Sequence, residues 1–246
     1  MSSPMPVPQV YNINIHGVDV PITAVTPDIS IPDVMKSVPF MDLIIKLQSD
    51  HLWKVSEILI QSVDMFGPRI GFVKVKITAT FNGKPVAGIV FLRGDSVAVI
   101  PILKCSSTKQ RYVVCCMQPR MPDGRVKVEI PAGMMDGKKS FVGVAAKEMA
   151  EETGIVMNED DLFDISPNGK LCPSIGGCDE KIKYYAYIKD VTPEFLAELD
   201  GKIAGNFEEG EIIKLKLIKY ENLHTECDDM KAMTAMLLLE RSGIAF

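Results

Sequence analysis

The chain has no apolar run approaching the roughly 20 residues that a membrane-spanning helix needs, and a membrane role is not expected. No CxxC pair occurs among its six cysteines, and its three histidines lie far apart, so neither a zinc site nor a disulfide framework is indicated. Reduced thiols and a cytoplasmic location follow as the reading. Nor does any cluster of lysine and arginine stand out against a formal charge of -5, which argues against nucleic acid as a partner. The first residues, MSSPMPVPQV, carry neither a basic stretch before an apolar core nor an Arg-rich amphipathic pattern, so no targeting signal is expected. What is present is ordinary for a globular protein: 246 residues, 47% hydrophobic and 24% charged, enough to bury a substantial core.

Along the chain, Val10 to Thr23 alternates apolar and polar residues around His16-Gly17, the pattern of strand, turn and strand. Leu43, Ile44, Leu47 and Trp53 recur at roughly helical spacing and predict a helix over Phe40 to Val55. Two β-branched runs, Phe72 to Phe81 and Val86 to Leu92, flank Asn82-Gly83, a strong hairpin signal. Further strands are expected at Ser96 to Leu103, Arg111 to Gln118, Lys127 to Ile130, Lys183 to Ile188 and Ile212 to Ile218. A short helix is expected at Thr192 to Leu199 and a closing one around Asp229 to Arg241. This order of mixed strands and helices predicts an α/β or α+β fold. A soft boundary between Ile60 and Lys74 would separate residues 1–65 from residues 66–246.

Between Pro131 and Ile155 the sequence reads PAGMMDGKKSFVGVAAKEMAEETGI. Ser140 is suited to cap a helix beginning at Phe141, and Gly154 to end it. At 100° per residue Glu148 and Glu152 stack on one face with Glu151 beside them, while Val142, Val144, Ala145 and Met149 form most of the buried side. Like charges at this spacing cost only a few tenths of a kcal/mol when solvated. Spacing alone therefore reads as a solvated acidic face.

The frame around the helix adds more. Gly133, Glu148, Met149, Glu151, Glu152, Gly154 and Ile155 fall in the register of the Nudix box, G-x5-E-x7-R-E-U-x-E-E-x-G-U with U apolar. Lys147 stands where that motif has arginine and Lys139 where it has its first glutamate. Together with VDMFGPRIGFVKV, EIPAGMMDG and PSIGGCDEKIKYYAY, the chain from about Val63 onward resembles the ADP-sugar diphosphatase branch of the Nudix hydrolases.

The resemblance implies an α/β/α sandwich with a mixed sheet, preceded by a small β-rich subdomain that makes a homodimer. It implies Mg2+, with Mn2+ as the alternative, and a nucleoside diphosphate sugar such as ADP-ribose or ADP-glucose, cleaved to AMP and a sugar phosphate. A divalent cation bound to hard oxygens neutralises charge on the phosphates and lowers the pKa of a bound water. The metal ligands so implied are Glu148, Glu152 and Glu151, with a backbone carbonyl near Ala132 or Gly133. A base comes from the loop GNFEEGE, with Glu211 and Glu209 as candidates and Glu208 behind them; Glu211 directly precedes a strand and would be the best fixed. Gly177 and Glu180 in PSIGGCDE, Gly133, and Arg120 in QPRMPDGR are the implied substrate contacts, with Arg69 and Arg93 as weaker ones and Cys178 read as merely small. Two alternatives stay open: another substrate such as UDP-glucose or a dinucleotide, and a Nudix-fold nucleotide-binding module with weakened catalysis, for which Lys139 and Lys147 speak. Lysine keeps the charge of arginine but lacks its planar fork.

Overall fold

A computed structural model describes residues 9–167, 169–206, 210 and 212–246. The chain divides into two compact units, residues 1–94 with 174–180, and residues 95–173 with 181–246. The break expected at residue 65 is thereby corrected. Residue 65 lies at the end of a long strand that turns back on its neighbour, so the sheet hydrogen bonds run straight through the expected boundary.

The first unit is built on one mixed sheet. β1 (Tyr11–Ile15) and β2 (Val18–Ala24) form the hairpin read from the sequence, turning at His16 and Gly17 with φ of 52° and 81°. Two helices follow, α1 (Ile31–Lys36) and α2 (Val38–Gln48). The helix expected to run to Val55 ends at Gln48. Trp53 instead opens β3 (Trp53–Phe66), where it packs on Phe81 with ring centroids 4.9 Å apart. β3 pairs with β2 in parallel and with β4 (Arg69–Phe81) antiparallel. Asn82 and Gly83, both at positive φ, turn β4 into β5 (Lys84–Val86), and β6 (Ile89–Leu92) returns to pair with β4. Ile22, Phe40, Ile44, Ile58, Ile60, Val73 and Val75 close its core.

The second unit holds the sheet that carries the glutamate helix. Its strands are β7 (Ser96–Cys105), β8 (Arg111–Arg120), β9 (Arg125–Glu129), β10 (Ala132–Met134), β11 (Leu162–Asp164), β12 (Ile182–Val191), β13 (Ile203–Ala204) and β14 (Ile213–Lys219). Its helices are α3 (Phe141–Thr153), α4 (Pro193–Leu199), α5 (Leu223–Glu226) and α6 (Met230–Ser242). The strand order is β11-β12-β7-β8-β14-β13, with β10 also on β7 and β9 also on β8. β12 runs parallel to β7 and the other pairs are antiparallel.

β7 shows why this sheet takes a layer on each side. Successive side chains of a strand point to opposite faces. Val97, Val99 and Leu103 join α3 in one core through Val144, Ala145 and Met149, whereas Ala98, Ile100 and Ile102 join α6 in the other through Ala232, Ala235 and Leu239. The result is the α/β/α sandwich expected from the sequence. Among the described residues no helix is long and apolar enough to cross a membrane.

Candidate active site

α3 begins and ends where its sequence dictates. The Ser140 hydroxyl accepts the Gly143 N–H at 3.0 Å, and Gly154, with φ of 72°, closes the helix by donating its N–H to the Ala150 carbonyl at 2.9 Å. The helix is thus held in register against β10, and the two residues in front of it, Ala132 and Gly133, meet its glutamates.

The three glutamates do not share one environment, and Glu152 is not part of the solvated face that spacing alone would give. Glu152, one turn beyond Glu148, falls on the same side as Ala145 and Met149 and is only 4% exposed. Its Oε1 accepts from the Gln118 amide at 3.2 Å, and its Oε2 accepts from the Ala132 N–H at 3.1 Å and lies 3.7 Å from the Cys116 thiol. Burial and the neighbouring carboxylate push the Cys116 thiol well above its ordinary pKa, so it stays a donor. Glu148 packs against Gly133 so closely that a Cβ there would sit 2.0 Å from its carboxyl carbon. Only glycine leaves that space. Glu151 pairs with Lys147 one turn earlier, and its carbonyl accepts the Gly205 N–H at 3.0 Å.

Hard oxygen donors therefore gather where Glu148, Glu152 and the backbone of Ala132 and Gly133 meet, and this donor set suits a divalent cation of the magnesium type. The cavity that Gly133 leaves for the Glu148 carboxylate fits such a use. Among the described residues no cluster of three acidic, cysteine or histidine side chains is assembled as a finished metal site, in keeping with Glu151 being drawn towards Lys147.

Of the other residues singled out from the sequence, Arg120 lies at the end of β8, two positions beyond Gln118. It makes a bidentate pair with Glu129, Nε to Oε1 at 2.6 Å and an Nη to Oε2 at 3.0 Å. The Lys231 ammonium lies 3.0 Å from the same Oε2 and 3.0 Å from Asp229. Burial pushes the Glu129 carboxyl up, but the Arg120 hydrogen bond and the charge and hydrogen bond of Lys231 outweigh it and hold the group below its usual range.

Gly177 and Glu180 belong to the first unit, where residues 174–180 lie along β6. The Gly177 carbonyl accepts the Phe91 N–H at 2.8 Å, Asp179 accepts the N–H groups of Arg93 and Gly94, and Glu180 meets Arg93 at 3.5 Å. Cys178 is half-buried beside them, and Arg69 stands over the ring of Phe66, 5.3 Å from its centre. Lys139 is exposed. Glu208, Glu209 and Glu211 lie outside the described residues.

Sequence reasoning missed Gln118, Cys116, Glu129 and Lys231. One signal was available: in Val114-x-Cys116-x-Gln118 the inward side of β8 changes from apolar to polar at its end, which marks a strand running into a polar site.

No family model matches the chain. It is 40% identical over 201 residues to Nudix hydrolase 14, chloroplastic, of Arabidopsis thaliana, covering 78% of this chain and 64% of that protein. It is also 40% identical over 62 residues to an uncharacterised Nudix hydrolase of Schizosaccharomyces pombe, 25% of this chain and 29% of that one. The chain thus spans less than two thirds of these curated relatives. The solved structure of an ADP compounds hydrolase superposes with a TM-score of 0.54 at 13% identity, covering 77% of this chain and 93% of the other, which is a likeness of fold. With the box residues of α3 set against Ala132 and Gly133, and with the extent of the Arabidopsis match, the chain belongs to the Nudix hydrolase family.

Proposed function

We propose that the protein hydrolyses the diphosphate of an ADP-sugar, ADP-ribose or ADP-glucose, to AMP and a sugar phosphate with Mg2+ or Mn2+. The observation that carries this reading is the meeting of Glu148 and Glu152 with the backbone of Ala132 and Gly133. Glu148, Glu152 and a carbonyl of Ala132 or Gly133 would hold the ion, with Glu151 as a further ligand on leaving Lys147. The ion supplies charge neutralisation at the phosphates and a more acidic bound water. The chain's own groups do the rest. Gln118 and the Ala132 N–H fix the Glu152 carboxylate, and Arg120, whose planar fork is held by Glu129, would turn on to the phosphate oxygens. Glu211 or Glu209 takes the proton of the attacking water as its oxygen bonds to phosphorus and the bridging P–O bond breaks. Gly177 and Glu180 are assigned to the sugar end. The adenine preference rests on the resemblance of EIPAGMMDG and PSIGGCDEKIKYYAY to the ADP-sugar diphosphatase branch.

A homodimer is part of the same proposal. Val38, Met41 and Ile45 form an outward apolar stripe on α2, exposed by 53%, 38% and 57%, and light scattering on the purified protein reads the dimer directly.

One observation favours a second reading, a nucleotide-binding module with weak catalysis: Lys147 takes the side chain of Glu151, and Lys139 replaces a carboxylate of the motif. Incubation with Mg2+ and ADP-ribose, ADP-glucose, UDP-glucose or a dinucleotide, followed by chromatography, separates the two. AMP from an ADP-sugar is expected. UMP alone would reassign the base, and nucleotide binding without turnover of any substrate would establish the module.

A further inference from the structure

Glu129, the last residue of β9, stands directly across from Cys116 of β8 and is 8% exposed. Arg120 lies four residues further along β8, so its side chain must lean back along the strand, past Gln118, to make its two bonds with Glu129. Its guanidinium is thereby held at the level of Cys116 and Gln118, the two side chains that contact Glu152.

From α6 a second cation reaches the same carboxylate. The Lys231 ammonium is 3.0 Å from Oε2 of Glu129. Docking of the helix has other means. Asp229 caps it by accepting the Lys231 N–H at 2.9 Å, Asp229 also accepts the Ile130 N–H at 3.3 Å, and the Cys227 thiol donates to the Val128 carbonyl at 3.1 Å. The ammonium, which also meets Asp229 at 3.0 Å, has a further effect, which is to give a buried carboxylate two cations where one would pair it.

Resting on the diphosphate-hydrolase reading above, we propose that Lys231 is a positioning residue for substrate phosphate: by sharing Glu129 it lets Arg120 turn on to a phosphate without stranding a buried carboxylate. Arginine paired with Glu129 alone would be locked, because pulling it away would leave a desolvated charge uncompensated. Lys231 keeps that charge compensated in both positions of the arginine.

The test compares wild type with Lys231→Met, Lys231→Arg and the double variant Glu129→Gln/Lys231→Met. Three quantities are read: KM and kcat on the preferred ADP-sugar with Mg2+, Kd for ADP in Mg2+-free buffer, and the melting temperature. For Lys231→Met, KM and Kd rise about tenfold while kcat stays within about twofold, the signature of lost binding alone. Lys231→Arg stays near wild type. The double variant recovers to within about threefold, because the charge that locked Arg120 is gone. Unchanged KM and Kd in Lys231→Met would overturn the proposal, as would a double variant as impaired as the single one. A Lys231→Met protein that does not fold leaves the decision to the double variant, whose weakened ADP binding at wild-type melting temperature would also overturn it. Wild type that binds ADP yet turns over no ADP-sugar defeats the hydrolase reading, and the ADP-binding arm still decides the role of Lys231.

Discussion

Two buried carboxylates lie beside one strand, and their surroundings differ in kind. The Glu152 carboxylate accepts from a carboxamide and a backbone N–H and lies beside a thiol, each of them neutral. Around Glu129 stand a guanidinium and an ammonium. Neutral donors orient a carboxylate and leave it suited to an incoming cation, whereas neighbouring cations neutralise it and make it part of the scaffold. Both are glutamates and both are buried. The donors decide the use.

The comparison can be broken most sharply at Glu152. Glu152→Gln is expected to lower kcat by about 10²-fold or more, the scale of losing a group aimed at reacting charge, with nucleotide binding kept. Near-wild-type turnover would remove Glu152 from the site. Gly133→Ala comes next: its Cβ would displace the Glu148 carboxylate, so Mg2+ activation should weaken by about 10-fold or more while the fold survives, since the atoms in the way are the end of a flexible side chain. An unchanged Mg2+ titration would show that Glu148 is not held there for the ion.

Glu129 gives the smaller effect, and on stability. Its folded pKa lies below the unfolded value near 4.5, so its contribution is complete above that pH and is lost as pH falls through the lower folded value. Lys231 has the opposite sign: burial pushes it down, but Asp229 and Glu129 outweigh this and raise it, so its contribution is complete below about 10.5 and is lost only above. Glu129→Gln should therefore flatten the fall in melting temperature of the acid limb relative to wild type. Parallel curves for wild type and Glu129→Gln would refute the scaffold role.

Local signals carried the two ends of α3, because Ser140 and Gly154 act on their own turn of chain. The β1–β2 and β4–β5 hairpins were legible for the same reason, through His16-Gly17 and Asn82-Gly83. Trp53 was misread because apolar spacing near a helix end is shared by the strand that follows, and its partner Phe81 lies 28 residues away. In the site, motif register singled out Glu148 and Glu152 but not their different burial, which depends on Gln118 and Ala132 arriving from strands distant in sequence. The pair of Arg120 with Glu129 was hidden likewise, since pairing across a hairpin is set by register and not by spacing along one strand.

The segment from Ser174 to Glu180 has one more implication, for anyone who would cut the chain. It is counted with residues 1–94, although the stretches on both its flanks belong to the other unit. No single scission therefore frees either unit whole. A fragment begun at Asp95 would keep these seven residues but lose Phe91, Arg93 and Gly94, whose backbone they bind.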